Sequence, residues 1–456
     1  MRRTLSVKKI ITIVSLFTAL IFTACGNSVG KTTENEELKS QDSLDKEQSN
    51  KDLGEFNKNA TIDETVLFEE SGVKIIATEL TYGQYIELGL VVDNNSGKTL
   101  SFFADSCSVN GYMIQEGFWY CDATNGEKLN ESISFDYDSL MKFGINEIAD
   151  IEIGFRILDE EWNSKYSGPC KVQTSIYDTH DYEKDYYQDT IVSDAAMNTF
   201  AYEMIHFSKE KLYDESGIKL LSSGFVRNLE GNTSLLLEFE NTTEKTISIS
   251  ANDIAYNGLI VDRQDDLTGL ISPGKYCIVE LPSFYSTFSS EFFEDYGIKD
   301  IASVSFSLIQ ESEDGTQITD AIPVKIDMPG KKYEFDKTGI EIYNSNGLRI
   351  IYKTIKEESS EYSSDRYILL IAENNSDETL EIRDVEESLL VNGTKSDYYY
   401  DWDTIKEGES IAFQIQLKES PQIDDIADIK EVEIGLEIIE DDTIIDEPVI
   451  KISINE

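Results

Sequence analysis

The sequence predicts an all-β chain of three tandem antiparallel β-sandwiches, and three observations carry that prediction. Four local patterns recur three times in the same order from residue 62 onward, every copy holds runs of alternating apolar residues, and the turns between those runs are rich in Asn and Gly. A period of two marks half-buried strands, and several per copy with turn signals between them mark a sandwich. Spacings of about 130 to 150 residues fit whole domains and are too long for solenoid units.

The first pattern is a turn feeding a strand: Glu70-Ser71-Gly72-Val73-Lys74-Ile75, Glu215-Ser216-Gly217-Ile218-Lys219-Leu220 and Ser345-Asn346-Gly347-Leu348-Arg349-Ile350. The second is an Asn-rich turn leaving a strand: Asp93-Asn94-Asn95-Ser96 with Thr99-Leu100, Glu240-Asn241-Thr242-Thr243 with Thr246-Ile247, and Glu373-Asn374-Asn375-Ser376 with Thr379-Leu380. Third come Val109-Asn110-Gly111, Tyr256-Asn257-Gly258 and Val391-Asn392-Gly393, where Asn-Gly between apolar residues signals a hairpin. The fourth is a long strand after a short turn, over 148–157, 301–310 and 429–438.

Alternation within these strands sets the expected core. Leu88, Leu90 and Val92 share one face, as do Leu235, Leu237 and Phe239; Leu370 is the third-copy match of Leu90 and Leu237. The fourth-pattern strands present Ile151, Ile153, Phe155 and Ile157, then Val304, Phe306 and Leu308, then Val432, Ile434, Leu436 and Ile438. Helix is a minor component. One turn is expected from the Ile145, Ile148, Ile151 spacing, and another over 290–296.

The N-terminus reads as an address. Arg2, Arg3, Lys8 and Lys9 precede an apolar run over 10–24, and Phe22-Thr23-Ala24-Cys25 closes it. A run of about 15 residues is short for a membrane-spanning helix, which needs roughly 20. The pattern resembles the signal and lipobox of bacterial lipoproteins, although Phe22 stands where that family usually has Leu. The resemblance implies that Cys25 carries a diacylglyceryl group on the extracytoplasmic face of the cell membrane. The run over 26–60 has few apolar residues and no period, so it is expected to be a disordered tether. Thirty-five flexible residues have an r.m.s. reach of roughly 30 Å and a stretched limit of about 120 Å. The expected division is a signal peptide over 1–24, lipidated Cys25 and tether over 25–61, and sandwiches over 62–195, 196–332 and 333–456.

The balance of 39 Lys plus Arg against 88 Asp plus Glu excludes partners that need a basic face. Loss of the signal removes four basic and no acidic residues, taking the net charge from −49 to −53. Nucleic acid and anionic lipid are therefore disfavoured.

The order of Gly-apolar-Lys strand, Asn-Asn-Ser turn with Thr-Leu, then Val-Asn-Gly resembles the immunoglobulin-like extracytoplasmic domains found in tandem in lipoproteins of Gram-positive bacteria. The resemblance covers nearly all of 62–456. It implies a fold and a location, and it brings no catalytic residue.

Comparison of copies places the cysteines. Cys107 aligns with Ile254 and Leu389, Cys277 with Ile133 and Ile411, and Cys170 follows Pro169 as Val324 follows Pro323. Buried thiols replacing core residues are the leading reading, and a Cys107–Cys121 bridge is the alternative that an extracytoplasmic location permits. The chain has no Cys-x-x-Cys, two histidines (His180 and His206) and no His-Glu-x-x-His, so no catalytic residue, metal site or cofactor is assigned. Gly26-Asn27-Ser28-Val29-Gly30 fits the nucleophile-elbow pattern but lacks the strand and helix that would present its serine. Glu311-Ser312-Glu313-Asp314-Gly315 lacks the spacing of a calcium loop and reads as a solvated hairpin tip.

Aromatic groups are the remaining candidates for a ligand surface: Phe118, Trp119 and Tyr120; Trp162; and Tyr398, Tyr399 and Tyr400 with Trp402. Core packing is the commoner fate of such residues. The Tyr177 to Tyr187 stretch with His180 reads as the connection between the first two copies. The expected function is a non-enzymatic binding or spacer array, anchored in the membrane through Cys25 and meeting a cell-envelope protein or glycan. The alternative is a glycan-binding or glycan-active protein using the aromatic groups and a carboxylate pair. A two-lobed solute receptor is disfavoured, because strands and helices do not alternate.

Overall fold

Ser71-Gly72, Ser216-Gly217 and Asn346-Gly347 each place two successive residues in the left-handed region, with φ of 54° and 81°, 49° and 85°, and 51° and 77°. Two positive φ values make a type I′ turn, whose twist matches that of the strands it joins. A Cβ on Gly72 would stand 2.6 Å from the Asn95 carbonyl oxygen, so the glycine is needed for space as well as conformation. The Asn95, Thr242 and Asn375 amides donate to the carbonyls of Gly72, Gly217 and Gly347 at 2.6, 2.7 and 2.7 Å. The first two sequence patterns are thus two halves of one contact.

The computed structural model describes residues 53–114, 119–282, 290–298, 300–359, 364–400, 403–418 and 426–454. Cys25 lies outside the described residues. In the first copy the strands are β1 (Thr65–Glu70), β2 (Val73–Tyr82), β3 (Ile86–Asn94), β4 (Leu100–Val109), β5 (Tyr112–Met113), β6 (Tyr120–Ala123), β7 (Glu127–Phe135), β8 (Asp150–Asp159) and β9 (Ser164–Gln173). The second copy holds β10 (Tyr202–Ser208), β11 (Tyr213–Glu215), β12 (Ile218–Asn228), β13 (Thr233–Asn241), β14 (Ile247–Tyr256), β15 (Leu259–Asp266), β16 (Tyr276–Leu281), β17 (Ser303–Ser312) and β18 (Ile322–Asp327). The third begins with β19 (Ile340–Ser345), β20 (Leu348–Ser359), β21 (Ser364–Asn374), β22 (Leu380–Asp384), β23 (Leu390–Val391) and β24 (Thr394–Lys395). It closes with β25 (Tyr398–Tyr400), β26 (Asp403–Ile405), β27 (Ser410–Leu417), β28 (Glu431–Glu440), β29 (Thr443–Asp446) and β30 (Val449–Ser453). Short helices are α1 (Tyr137–Lys142), α2 (Tyr186–Ile191), α3 (Asp194–Thr199) and α4 (Ser290–Asp295).

These strands form sheets in the orders β1-β2-β3-β7, β10-β12-β13-β16-β5-β4-β8-β9, β18-β17-β14-β15-β27-β21-β20-β19 and β24-β23-β28-β22-β26, with β6, β11, β25, β29 and β30 attached beside them. The fold is therefore all-β, and antiparallel within each copy. The two inner sheets cross from one copy to the next. They do so through parallel pairs, Tyr276 beside Tyr112 in β16–β5 and Ile411 beside Ile260 in β27–β15.

Both junctions use the same register. Tyr112 and Ile260 lie two and three residues after Asn110 and Asn257, and they meet Tyr276 and Ile411, one residue before and at the equivalent cysteine and isoleucine positions. Side chains are shared as well as backbone. Met113 enters the second core, Ile351, Leu369, Ile371 and Ala412 enter it from the third copy, and Ala255 and Ile260 enter the third core.

The alternating residues named from the sequence all face inward: Leu90, Leu237 and Leu370 are 1, 0 and 2% exposed. Burying such a side chain stabilises a fold by about 1.5–3 kcal/mol. Asn94, Asn241 and Asn374 are buried beside them for a polar reason. Each Nδ2 donates to two carbonyls, those of Lys98 and Ala123, Lys245 and Ile271, and Glu378 and Ile405, at 2.7 to 2.9 Å. Each Oδ1 accepts from the amide and hydroxyl of Ser96, Thr243 or Ser376. One side chain so satisfies backbone groups that a buried turn would otherwise orphan.

Several expectations are corrected. The last part of the expected tether, from residue 53, is packed rather than free: Phe56 and Ala60 are buried, and the Phe56 ring meets Tyr137 edge-on at 5.2 Å, while the signal peptide over 1–24 and the tether over 26–52 lie outside the described residues. Phe56, the one aromatic of that run, is what packs. The helical turn expected near Ile145 lies earlier, at α1, where the Asp136 side chain caps Ser139; the 290–296 turn is present as α4. Cys277 aligns with Leu129 and not Ile133, because Cys277, Ile411 and Leu129 sit opposite Phe239, Ala372 and Val92. Cys107 and Cys121 are unbridged. Cys121 pairs with Phe102, five residues along β4 from Cys107, a separation of about 16 Å along a strand against the roughly 7 Å limit for bridging Cα atoms. Burial pushes both thiols up to about 12, so they are inert core residues.

Candidate ligand cleft between the first two copies

The Asn110-Gly111 turn does more than close a hairpin. The Asn110 side chain donates to the Glu147 carbonyl at 2.7 Å and accepts from the Ala149 and Asp150 amides at 2.7 and 3.2 Å, fixing the start of β8. That start carries Asp150 and Glu152, and the Gly111 carbonyl accepts from the Tyr276 amide at 2.9 Å across the junction. The turn therefore brings carboxylates of the first copy beside Gly274, Lys275 and Tyr276 of the second. The connecting chain, with a 3₁₀ turn over Tyr177–Thr179, folds over both.

A cleft of about 370 Å³ results, lined by Tyr112, Asp150, Lys171, Tyr177, His180, Tyr182, Lys184, Tyr186, Lys275 and Tyr276 with the Asn110, Gly111 and Gly274 turns. His180 stacks on Tyr186 at 5.1 Å and meets Tyr182 edge-on at 4.6 Å, while Tyr112 and Tyr276 lie 5.3 Å apart. Lys171 and Lys184 sit over Tyr177 and Tyr186 at 5.1 and 4.6 Å. A second hollow, of about 460 Å³ and lined by Thr61, Ile62, Asp63, Thr65, Gln173, Thr174 and Ser175, shares Lys171 but brings no rings together.

Charge is tightly paired in the cleft. Lys171 reaches Asp150 at 2.8 Å and Glu152 at 3.0 Å, and Lys275 bonds Glu152 at 2.7 Å from the other copy. Burial alone would raise Glu152, but its hydrogen bonds from Lys275 and Lys171 hold it below the usual glutamate range. Burial would likewise lower Lys171, and Asp150 and Glu152 outweigh it, so the amine stays an ammonium. His180 is lowered by burial, against the nearby charges of Glu147, Asp150 and Asp181. A pinned ammonium, a paired carboxylate and stacked rings can hold and orient a polar ligand. They offer no activated nucleophile.

Beneath α2 lies a further carboxyl. Glu238 on β13 is wholly buried, with Oε2 accepting from Gln188 Nε2 at 2.6 Å and from the Ser222 hydroxyl at 2.7 Å. Its Oε1 has no hydrogen-bond partner among the described residues. Burial and the Asp185 charge push it up to about 7, against the pull of Gln188, Ser222 and Lys209. At the matching position the other copies carry Val91 and Ile371.

No protein-family model matches the chain, and no curated protein does. Among solved structures it is similar to a 1.5-MDa bacterial ice-binding adhesin (9% identity, 81% of this chain and 90% of that one, TM-score 0.13). It is also similar to red sea bream transglutaminase (10%, 59% and 31%, 0.14) and to a Porphyromonas gingivalis W83 protein of unknown function (12%, 55% and 96%, 0.13). Likenesses at these scores carry no argument about this chain.

Among the described residues, the aromatic groups named from sequence do not converge. Trp119 is buried against Phe155, so it belongs to the core; Tyr120 is exposed and lies on Phe103. Tyr399 is exposed with Lys418 over its ring at 4.1 Å, on a different sheet from Tyr120, and Tyr398 bonds Asp384. Phe118 and Trp402 lie outside the described residues. Trp162 is exposed at the β8–β9 tip, and His206 lies on β10 and does not line the cleft. The 311–315 segment is a hairpin tip, held by Asp314 accepting from the Thr316 amide and the Ser312 hydroxyl. Sequence reasoning passed over the cleft because Tyr112, Lys171 and Tyr276 come from three separate strands. The signal available was the density of Tyr, Lys and His in 177–187, a connector too rich in rings to be only a linker.

Proposed function

We propose that the chain is a membrane-anchored extracytoplasmic lipoprotein, held through acylated Cys25, whose three copies form a non-enzymatic binding array with its ligand cleft at the first junction. The observation that carries this reading is the cleft itself, walled by two copies that a parallel strand pair locks in one register. A cleft made of two locked copies is preorganised, which lowers the ordering cost of binding. Within the array a cell-envelope protein or glycan is the partner. The glycan reading is favoured specifically by the five tyrosines and the paired carboxylates that line or flank the cleft, since rings supply stacking faces and carboxylates accept hydroxyl protons.

Two measurements test the proposal. Cys25→Ala should abolish palmitate labelling and leave an uncleaved precursor, whereas persistent labelling would overturn the anchor. Titration of the protein with soluble cell-envelope glycan fragments should show saturable binding that Tyr276→Ala weakens at least tenfold; binding unaffected by that change would remove the cleft from the function.

A further inference from the structure

Trp162 occupies a position that its own chemistry disfavours. It sits at the β8–β9 tip with φ of 64°, in the left-handed region, and is 78% exposed. The tip is closed by the Trp162 amide donating to the Asp159 carbonyl at 2.9 Å and the Asp159 amide donating to the Asn163 carbonyl at 3.2 Å. The second copy builds the same tip, with Gly315 to Ser312 at 2.8 Å and Ser312 to Thr316 at 2.9 Å, and places Gly315 at φ of 76° in the matching position. The third copy turns on Asp441 and Asp442, which tolerate positive φ.

A bulky residue in this region is an outlier, costing roughly 1–2 kcal/mol. The side chain does not offset it: no ring stacking or cation contact among the described residues involves Trp162, and most of its surface faces solvent. Backbone strain kept at an exposed site points from the outlier to a function. Tryptophan is also among the side chains enriched in residues that dominate protein interfaces.

The surroundings select the partner. Glu160 and Glu161 precede Trp162 in the tip and are exposed, and Lys98 is already committed to Asp159 at 2.7 Å and Glu161 at 3.6 Å. An acidic tip opposes approach to anionic lipid or anionic polymer and favours a cationic rim. We propose that Trp162 is the anchor by which this protein docks into an apolar pocket, rimmed by Lys or Arg, on a protein partner at the cell surface. The proposal deepens the reading of the chain as a binding array, and it uses no residue of the cleft.

The test places a photo-crosslinking benzoylphenylalanine at position 164 of the full chain in its native cells, with palmitate labelling read in the same samples. The expected result is one dominant protein adduct whose crosslinked peptide is flanked by Lys or Arg. The adduct should fall at least tenfold when Trp162→Gly is added, although that change should raise the melting temperature. Adducts with lipid or glycan, no adduct above a probe placed at Tyr399, or an adduct that survives Trp162→Gly would overturn it. Lost labelling with an intact Trp162-dependent adduct would refute only the anchor.

Discussion

Glu238 shows how one residue can differ from its duplicates in kind. The position is apolar in the other copies, yet here a carboxyl is buried under α2, facing Asp185 and Tyr187 of the connector, Tyr112 of β5, Tyr276 of β16 and Lys209 after β10. A carboxyl whose pKa is raised by folding stabilises the fold fully below the ordinary glutamate value, and that contribution is lost as pH rises through the folded value. The window here runs from about 4.5 to about 7. Denaturant unfolding should therefore show stability falling across this range by up to roughly 3 kcal/mol, and Glu238→Gln should flatten that slope. A slope unchanged in the variant would place the titration elsewhere. Nothing in the sequence announced this residue: Leu237-Glu238-Phe239 alternates as a half-buried strand should, and only the docking of α2 turns its outward position into an inward one.

At the scale of elements, the turns were legible and their purpose was not. Asn-Gly gave the hairpins from local conformational preference alone, but Asn110, Asn257 and Asn392 also reach across to the next strand. Asn257 donates to the Asp300 carbonyl at 2.8 Å and accepts from Ala302 and Ser303, and Asn392 repeats the arrangement with Asp428, Lys430 and Glu431. The third and fourth sequence patterns are thus coupled in space, which explains why they always appear together. Asn257→Ala should leave two amides and a carbonyl without their partner, at about 1–3 kcal/mol for such a loss, while Asn257→Asp should retain the acceptor half and cost less. Equal destabilisation of the two variants would show that the acceptor bonds to the start of β17 contribute nothing. Strand faces were legible because period two is a strong signal. The register of Cys277 against the first copy was misread because β7 is polar where β16 is apolar, and only ladder pairing fixes such an alignment.

For the whole molecule, sheets that run through both junctions tie the copies to one another. Three separate sandwiches would melt separately, whereas the second core holds side chains from both neighbours. Leu237→Ala should cost about 2–5 kcal/mol, and calorimetry should show one transition moving to lower temperature as a unit. Resolved transitions of which a single one moves would mean that the junctions are weaker than the shared cores imply. No pattern in the sequence predicted this coupling, because it depends on short parallel pairs between strands far apart in the chain.

The strands that join neighbouring copies have counterparts at the two ends, and those counterparts are dressed differently. Where β16 offers Tyr276 and Ile278 to its neighbour, β7 offers Lys128 and Asn130; where β5 offers Tyr112 and Met113, β24 offers Thr394 and Lys395. These end residues are exposed. Charged and polar side chains on an open edge discourage another strand from joining it. The same strand position is therefore dressed in two ways in one molecule: apolar where it accepts a neighbouring copy, and polar where it lies open to solvent.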